Sequence, residues 1–176
     1  MDFDEFVIDR LPSLVRYAIA LTGSRESGED IVQDAMIKAH SKWRRISQLD
    51  RPDLYVKRIV TNEFLGMRRR RALQTVGLEV RHLDHAPDDG PPSHEQTAAE
   101  RTAMWAEMSR LPRQQRAVLV LRFYEGLTDL EIADVLRCRP GTVRGYASRA
   151  LEALRIELAE GQTTDGPLVN GRGGAS

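Results

Sequence analysis

Residues 87–94 read Pro-Asp-Asp-Gly-Pro-Pro-Ser-His, and this short run limits the fold more than any other feature of the chain. Proline lacks an amide proton and its ring blocks helix continuation, while aspartate and glycine bring no apolar surface to bury. The run reads as a linker inside a weakly patterned stretch, 74–97, that divides the chain into an N-terminal module (1–73) and a C-terminal module (98–160). Residues 161–176, rich in glycine and threonine, read as a disordered tail.

Both modules carry helical periodicity, and no alternating strand pattern competes, so the expected fold class is all-α: two small helical domains joined by a flexible linker. In the first helix Val7, Leu11, Leu14, Ala18 and Leu21 recur at three- and four-residue steps, with Pro12 marking a kink or a restart and Thr22-Gly23-Ser24 an end. A second helix places Val32, Ala35, Met36, Ala39 and Trp43 on one face and Asp30, Gln33, Asp34 and Ile37 on another. After a loop at 47–51, Pro52 opens a third helix whose stripe is Val56, Ile59, Val60, Phe64 and Met67. A three- or four-helix bundle follows from this spacing.

Past the linker, residues 95–110 and 112–124 read as helices, and a more informative pair follows. Thr128-Asp129-Leu130-Glu131 is a capping box, in which the threonine side chain accepts from the glutamate amide and the glutamate reaches back to the threonine amide. The helix it starts ends at the turn Arg137-Cys138-Arg139. Pro140 then stands at a first helical position, where its missing donor costs nothing. A second helix, 140–158, presents Thr142, Arg144, Gly145, Tyr146, Ser148 and Arg149. This pattern matches the helix-turn-helix, whose second helix lies in the major groove of DNA. Arginine pairs with guanine acceptors, Ser148 can reach several base edges, and Gly145 permits close approach. Arg122 and Arg139 suit phosphate contacts. Cys138 reads as a plug of the hairpin core.

Charge supports a polyanionic partner. The formal net charge is zero, yet residues 41–72 hold 10 basic against 3 acidic side chains and residues 110–155 hold 9 against 5. Residues 1–40, with 4 basic and 8 acidic, and 73–109, with 2 and 7, are acidic. Such segregation suits two nucleic-acid surfaces. No apolar run approaches the roughly 18 residues of a membrane span. An acidic N-terminus and the single Cys138 point to the cytoplasm. His82, Asp84 and His85 lack the companions of a zinc site, and no phosphate loop or activated nucleophile is present. The expectation is therefore no enzyme activity, no metal and no cofactor.

Taken together the chain resembles the extracytoplasmic-function (ECF) sigma factors, the smallest of the sigma-70 type, over nearly its whole length. The resemblance rests on Glu29-Asp30-Ile31-Val32-Gln33-Asp34-Ala35, on Arg51-Pro52-Asp53-Leu54-Tyr55-Val56 through Asn62 to Arg68-Arg69-Arg70-Arg71, on Leu111-Pro112-Arg113-Gln114-Gln115-Arg116, and on the helix-turn-helix. The opening Asp4-Glu5-Phe6-Val7 and Arg10-Leu11-Pro12 is similar to a subgroup common in actinobacteria.

The resemblance implies an alternative sigma factor that directs core RNA polymerase to promoters and assists melting. Asp30, Gln33 and Asp34 match the positions that grip the clamp coiled coil of the largest subunit, and the flap region is a second contact. Lys57, Arg58, Thr61 and Asn62, with Arg68 and Arg69 as a phosphate clamp, match the face that holds single-stranded −10 DNA. The loop 44–51 matches the reader of a flipped base. The C-terminal helix-turn-helix matches the −35 duplex reader, and the linker would thread the RNA-exit path. The resemblance further implies a monomer when free, an anti-sigma protein as a 1:1 partner, no membrane insertion, and association with the nucleoid in the holoenzyme. Two positions depart from the pattern: Arg137 stands where glycine often closes the first helix of the pair, and Arg139 where a capping Ser or Thr is usual. The rival reading is a stand-alone helix-turn-helix regulator binding duplex DNA as a dimer, which leaves the N-terminal module without a role.

Overall fold

The first helix is set by a capping box at the very start of the chain. The Glu5 amide donates to the Asp2 carboxylate (2.8 Å) and the Asp2 amide donates to the Glu5 carboxylate (3.0 Å), satisfying two donors that a helix start leaves open. The structure, a computed structural model, describes residues 1–75 and 98–163, with side chains for 1–67 and 103–155. Most of the expected linker and tail therefore lies outside the described residues. Among those residues every regular element is helical.

Helix α1 spans Phe3–Thr22 and runs through Pro12 without a break, where the sequence suggested a kink or restart. The reason is position: the carbonyl that Pro12 leaves without an amide partner belongs to Ile8, 80% exposed, where water can serve it. At the end of α1, Gly23 takes φ 72° and returns its amide to the Ile19 carbonyl at 2.8 Å. The indole of Trp105, from the C-terminal module, lies over this turn, 3.5 Å from where a side chain at residue 23 would begin.

Helix α2 (Arg25–Ser41) is capped by Ser24 and crosses α1 closely at Gly28. A Cβ there would stand 2.9 Å from the Ile19 amide nitrogen, so only hydrogen fits. The helix stops before Trp43, which instead opens a single turn, α3 (Trp43–Ile46). Trp43 is turned inward against Phe6 and Phe3, with ring centroids 4.8 and 5.3 Å apart. Helix α4 (Pro52–Thr75) closes the first module, packing against α1 and α2 and burying Val56, Val60 and Phe64.

In the second module α5 (Ala98–Arg110) leads to α6 (Arg113–Leu119), which widens into a π-helical turn at Val120–Tyr124. The sequence suggested one continuous helix here. The Glu125 amide reaches back five residues to the Val120 carbonyl (3.0 Å), so one extra residue is accommodated and the chain leaves at a changed angle. Helix α7 (Asp129–Leu136) starts at the capping box read from the sequence, and α8 (Pro140–Thr163) follows the turn. Cys138 packs partly buried against the core, and burial pushes its thiol up, opposing thiolate chemistry.

The two modules are not separate bodies. One apolar cluster contains Phe6, Tyr17, Leu21 and Phe64 from the first and Val118, Leu121, Ile132 and Val143 from the second. Arg116 donates to the Leu21 carbonyl (3.2 Å) and Arg113 to the Phe64 carbonyl (3.0 Å), each guanidinium also lying within 6 Å of the Phe64 ring centroid.

Arg137 closes α7 in the left-handed region, φ 52° and ψ 47°, as the departure from glycine implied. A side chain costs roughly 1 kcal/mol in this conformation. Arg137→Gly is accordingly expected to raise stability by up to about 1 kcal/mol, a shift of a few degrees in thermal unfolding. An unchanged or lowered midpoint would show that the turn carries no such strain.

Candidate nucleic-acid interface

Three surfaces follow from the way these helices bury their apolar faces. On α8, Val143, Ala147 and Ala150 are buried at steps of four and three. The opposite side therefore turns Thr142, Arg144, Ser148 and Arg149 to solvent, with Arg139 exposed just before the helix. Tyr146 is half-buried, and the Arg149 guanidinium lies 5.3 Å from its ring centroid, which stiffens a long cation at the surface. Gly145 is helical with open space beside it: an added Cβ would meet only Arg149, at 3.8 Å. Its lack of a side chain is thus not a demand of this fold.

Helix α7 is tied to α8 electrostatically. Asp129 pairs with Arg122 and lies 3.8 Å from the Arg144 guanidinium. At the start of α7 the Glu131 amide donates to Thr128 (3.3 Å) and the Thr128 amide to Glu131 (2.9 Å). Those backbone and hydroxyl hydrogen bonds, with Arg51 nearby, hold the Glu131 carboxyl below the usual carboxylate range.

The second surface is on α2. Burial of Ile31, Val32, Ala35 and Ala39 leaves Asp30 and Gln33 exposed and Asp34 partly so. Ile37, 64% exposed, continues this face one turn on and adds an apolar side chain to its end.

The third surface, on α4, differs from the sequence expectation. Thr61 does not face outward: it is fully buried, its hydroxyl donating to the Lys57 carbonyl (2.7 Å) and paired with the Tyr17 hydroxyl at 2.7 Å. Burial pushes the Tyr17 phenol well above its ordinary range, so Tyr17 stays neutral in this bond. Of the remaining residues, Asn62 is exposed, while Lys57 and Arg58 have side chains only 16% exposed. Arg68 and Arg69 have no described side chains.

A cleft of about 400 Å³ runs beside this face, bordered by Lys38, Lys42, Tyr55, Arg58, Asn62 and Arg137. The sequence reading missed Lys38 and Lys42. Lys38 sits on the last turn of α2 and Lys42 caps its end, at the edge of the basic block, and only the crossing of α2 with α4 brings them to Asn62. Buried Glu63 holds Lys38 in an ion pair on the cleft wall. Trp43, favoured as core, is partly buried, and its indole nitrogen has no hydrogen-bond partner among the described residues.

Among the described residues no group of three or more potential metal ligands occurs, and no helix is long and apolar enough to cross a membrane. The histidine pair considered in the sequence lies outside them. What remains is a pair of helical modules rich in basic side chains, one a helix-turn-helix, with an acidic face on α2 beside them: the class of a promoter-reading factor.

Comparison with known proteins makes this specific. The model of Sigma-70 region 2 matches residues 6–74, and that of Sigma-70, region 4 matches residues 101–154. The RNA polymerase sigma-E factor of Streptomyces coelicolor is 31% identical over 159 residues, 90% of this chain and 86% of that protein. The ECF RNA polymerase sigma factor SigL of Mycobacterium tuberculosis is 29% identical, covering 84% and 83%. Among solved structures, the sigma factor RpoE of Bartonella quintana, in complex with the anti-sigma factor NepR, shares the fold with a TM-score of 0.71 at 24% identity, over 90% of this chain and 97% of that one. The chain belongs to the ECF branch of the sigma-70 family. It is an alternative sigma factor, directing RNA polymerase to promoters.

Proposed function

We propose that the three faces divide the work of initiation. The outward side of α8, with Arg144, Ser148 and Arg149 reading bases and Arg139 and Thr142 holding phosphate, takes the −35 duplex. Helix α4 and the loop before it take the opened −10 strand, with Lys57 and Arg58 neutralising phosphates, Asn62 reading a base edge, and Lys38 and Lys42 extending the cationic wall. Asp30, Gln33, Asp34 and Ile37 dock the basic clamp coiled coil of the polymerase. No fuel is needed, because binding to unstacked bases offsets the few kcal/mol that opening costs. The observation that carries the reading is α8: its small buried face leaves a continuous outward row of groove-reading side chains.

An inhibitory protein partner, bound one to one, belongs to the same reading. It is supported by RpoE having been solved with NepR, and CnrH with the cytosolic domain of CnrY. The chain would act in the cytoplasm, on the nucleoid once in holoenzyme.

Run-off transcription on a genomic promoter library with core polymerase is the test. Transcripts should depend on this protein and fall at least about tenfold, near 1.4 kcal/mol, when Asp30, Gln33 and Asp34 are replaced by alanine. Duplex binding without core enzyme, and no transcripts, would instead mark a stand-alone regulator. Gly145→Ala should stabilise α8 by up to about 1 kcal/mol in thermal unfolding yet weaken binding to the −35 duplex; unweakened binding would exclude close approach at this position. Isolation of the tagged chain from its native cells should yield a stoichiometric small inhibitor; polymerase alone, repeatedly, would count against that partner.

A further inference from the structure

The two arginines on the outward row of α8 are steadied by different means. Arg149 leans on Tyr146, its guanidinium 5.3 Å from the ring centroid, and its terminal nitrogens stand 3.8 and 3.9 Å from where a side chain at Gly145 would begin. Arg144 leans back over Gly141 in the same way, one terminal nitrogen 3.8 Å from where a side chain there would begin. Its other terminal nitrogen lies 3.8 Å from Oδ2 of Asp129, which comes from a different helix, at the first position of α7. The two carboxylate oxygens are divided: Oδ2 faces Arg144, while Oδ1 accepts from Arg122 in the π-helical turn. The Asp129 and Arg122 side chains are 29% and 26% exposed against 65% for Arg144, so a shielded pair backs an open cation. Arg122, which the sequence suggested for a phosphate, is committed to a carboxylate instead.

Resting on the −35 reading of α8, we propose that Asp129, fixed by Arg122, is a positioning residue that aims Arg144 at one guanine of the −35 duplex and so sets the base preferred there. An arginine recognises guanine through two parallel hydrogen bonds to O6 and N7, which requires the guanidinium fork to lie in one plane and one place. A long, largely exposed side chain samples many rotamers, and ordering it costs free energy at the moment of binding. A carboxylate behind the fork lowers that cost and leaves the remaining N–H groups to the base. Gly141 contributes by giving the guanidinium room to lie back along the helix, the direction in which helical side chains point. A carboxylate is otherwise a poor neighbour for DNA, since its charge opposes phosphates at every sequence. Its contribution is therefore to discrimination rather than to affinity, and the charge of Arg122 offsets the repulsion.

The test is run-off transcription by holoenzyme assembled with the full chain, on a promoter recovered from the genomic library, with its −35 element randomised and its −10 element kept. Arg144→Ala should erase the preference at one position of the element, where a bidentate arginine–guanine pair discriminates by about five- to a hundredfold. Asp129→Asn should remove most of the discrimination at that same position, leave every other position as in the parent, and keep or raise output from templates with the wrong base. Asp129→Glu, which restores the charge one methylene further out, should recover most of the preference. Arg122→Gln should give a weaker form of the Asp129→Asn profile. If Asp129 served only to start α7, its loss would lower output from all templates alike with base preferences intact; that result, or an unchanged profile, would overturn the positioning role. An Arg144→Ala profile identical to the parent's would instead overturn the −35 reading on which the proposal rests.

Discussion

Helix α4 is apolar on more than one side, and the rest of the molecule depends on how that is satisfied. It packs against α1 and α2 and also against α6 and α7, with Val56, Val60 and Phe64 buried and two guanidinium groups of α6 over the Phe64 ring. Burying one such side chain is worth roughly 1.5–3 kcal/mol, so a helix covered by only one module would leave a substantial debt. The polar groups that accompany this burial need partners. Tyr17 and Thr61 supply each other, Arg113 and Arg116 find carbonyls, and Lys57 finds Glu125. A mostly buried ion pair gains little net stability after desolvation, but removing one member strands the other. The contact therefore favours register over strength.

Much of the local structure was legible in the sequence because its causes are local. Thr128 and Glu131 are three residues apart, Pro140 can only begin a helix, and the stripe Val56, Val60, Phe64 needs nothing but a period near four. The outward row on α8 followed from the same arithmetic. Arg137 was recognised as sitting where glycine is expected, and its left-handed backbone bears that out.

The rest depended on chain segments far apart. Thr61 falls on the polar-looking side of α4 by helical phase, and only the position of Tyr17, 44 residues earlier, decides that it is interior. Nothing in Val120–Tyr124 marks a π-helical turn, because the extra residue changes no local spacing that the sequence pattern reads. Lys38 and Lys42 belong to the acidic-to-basic boundary in sequence and to the cleft in space. The linker, clear as an interruption of helix, carried no information about whether the modules it joins would touch. Charge blocks pointed to two nucleic-acid surfaces, and they equally describe two surfaces complementary to each other's edges.

The indole of Trp105 rests on Gly23, at the seam between the last turn of α1 and the C-terminal module. The other tryptophan of the sequence, Trp43, packs partly buried against Phe3 and Phe6. The chain is thus furnished with an intrinsic optical gauge: one emitter set among the aromatic rings of the first module as a reference, the other at the contact between modules, where its colour reports without any label how that contact is shielded from water.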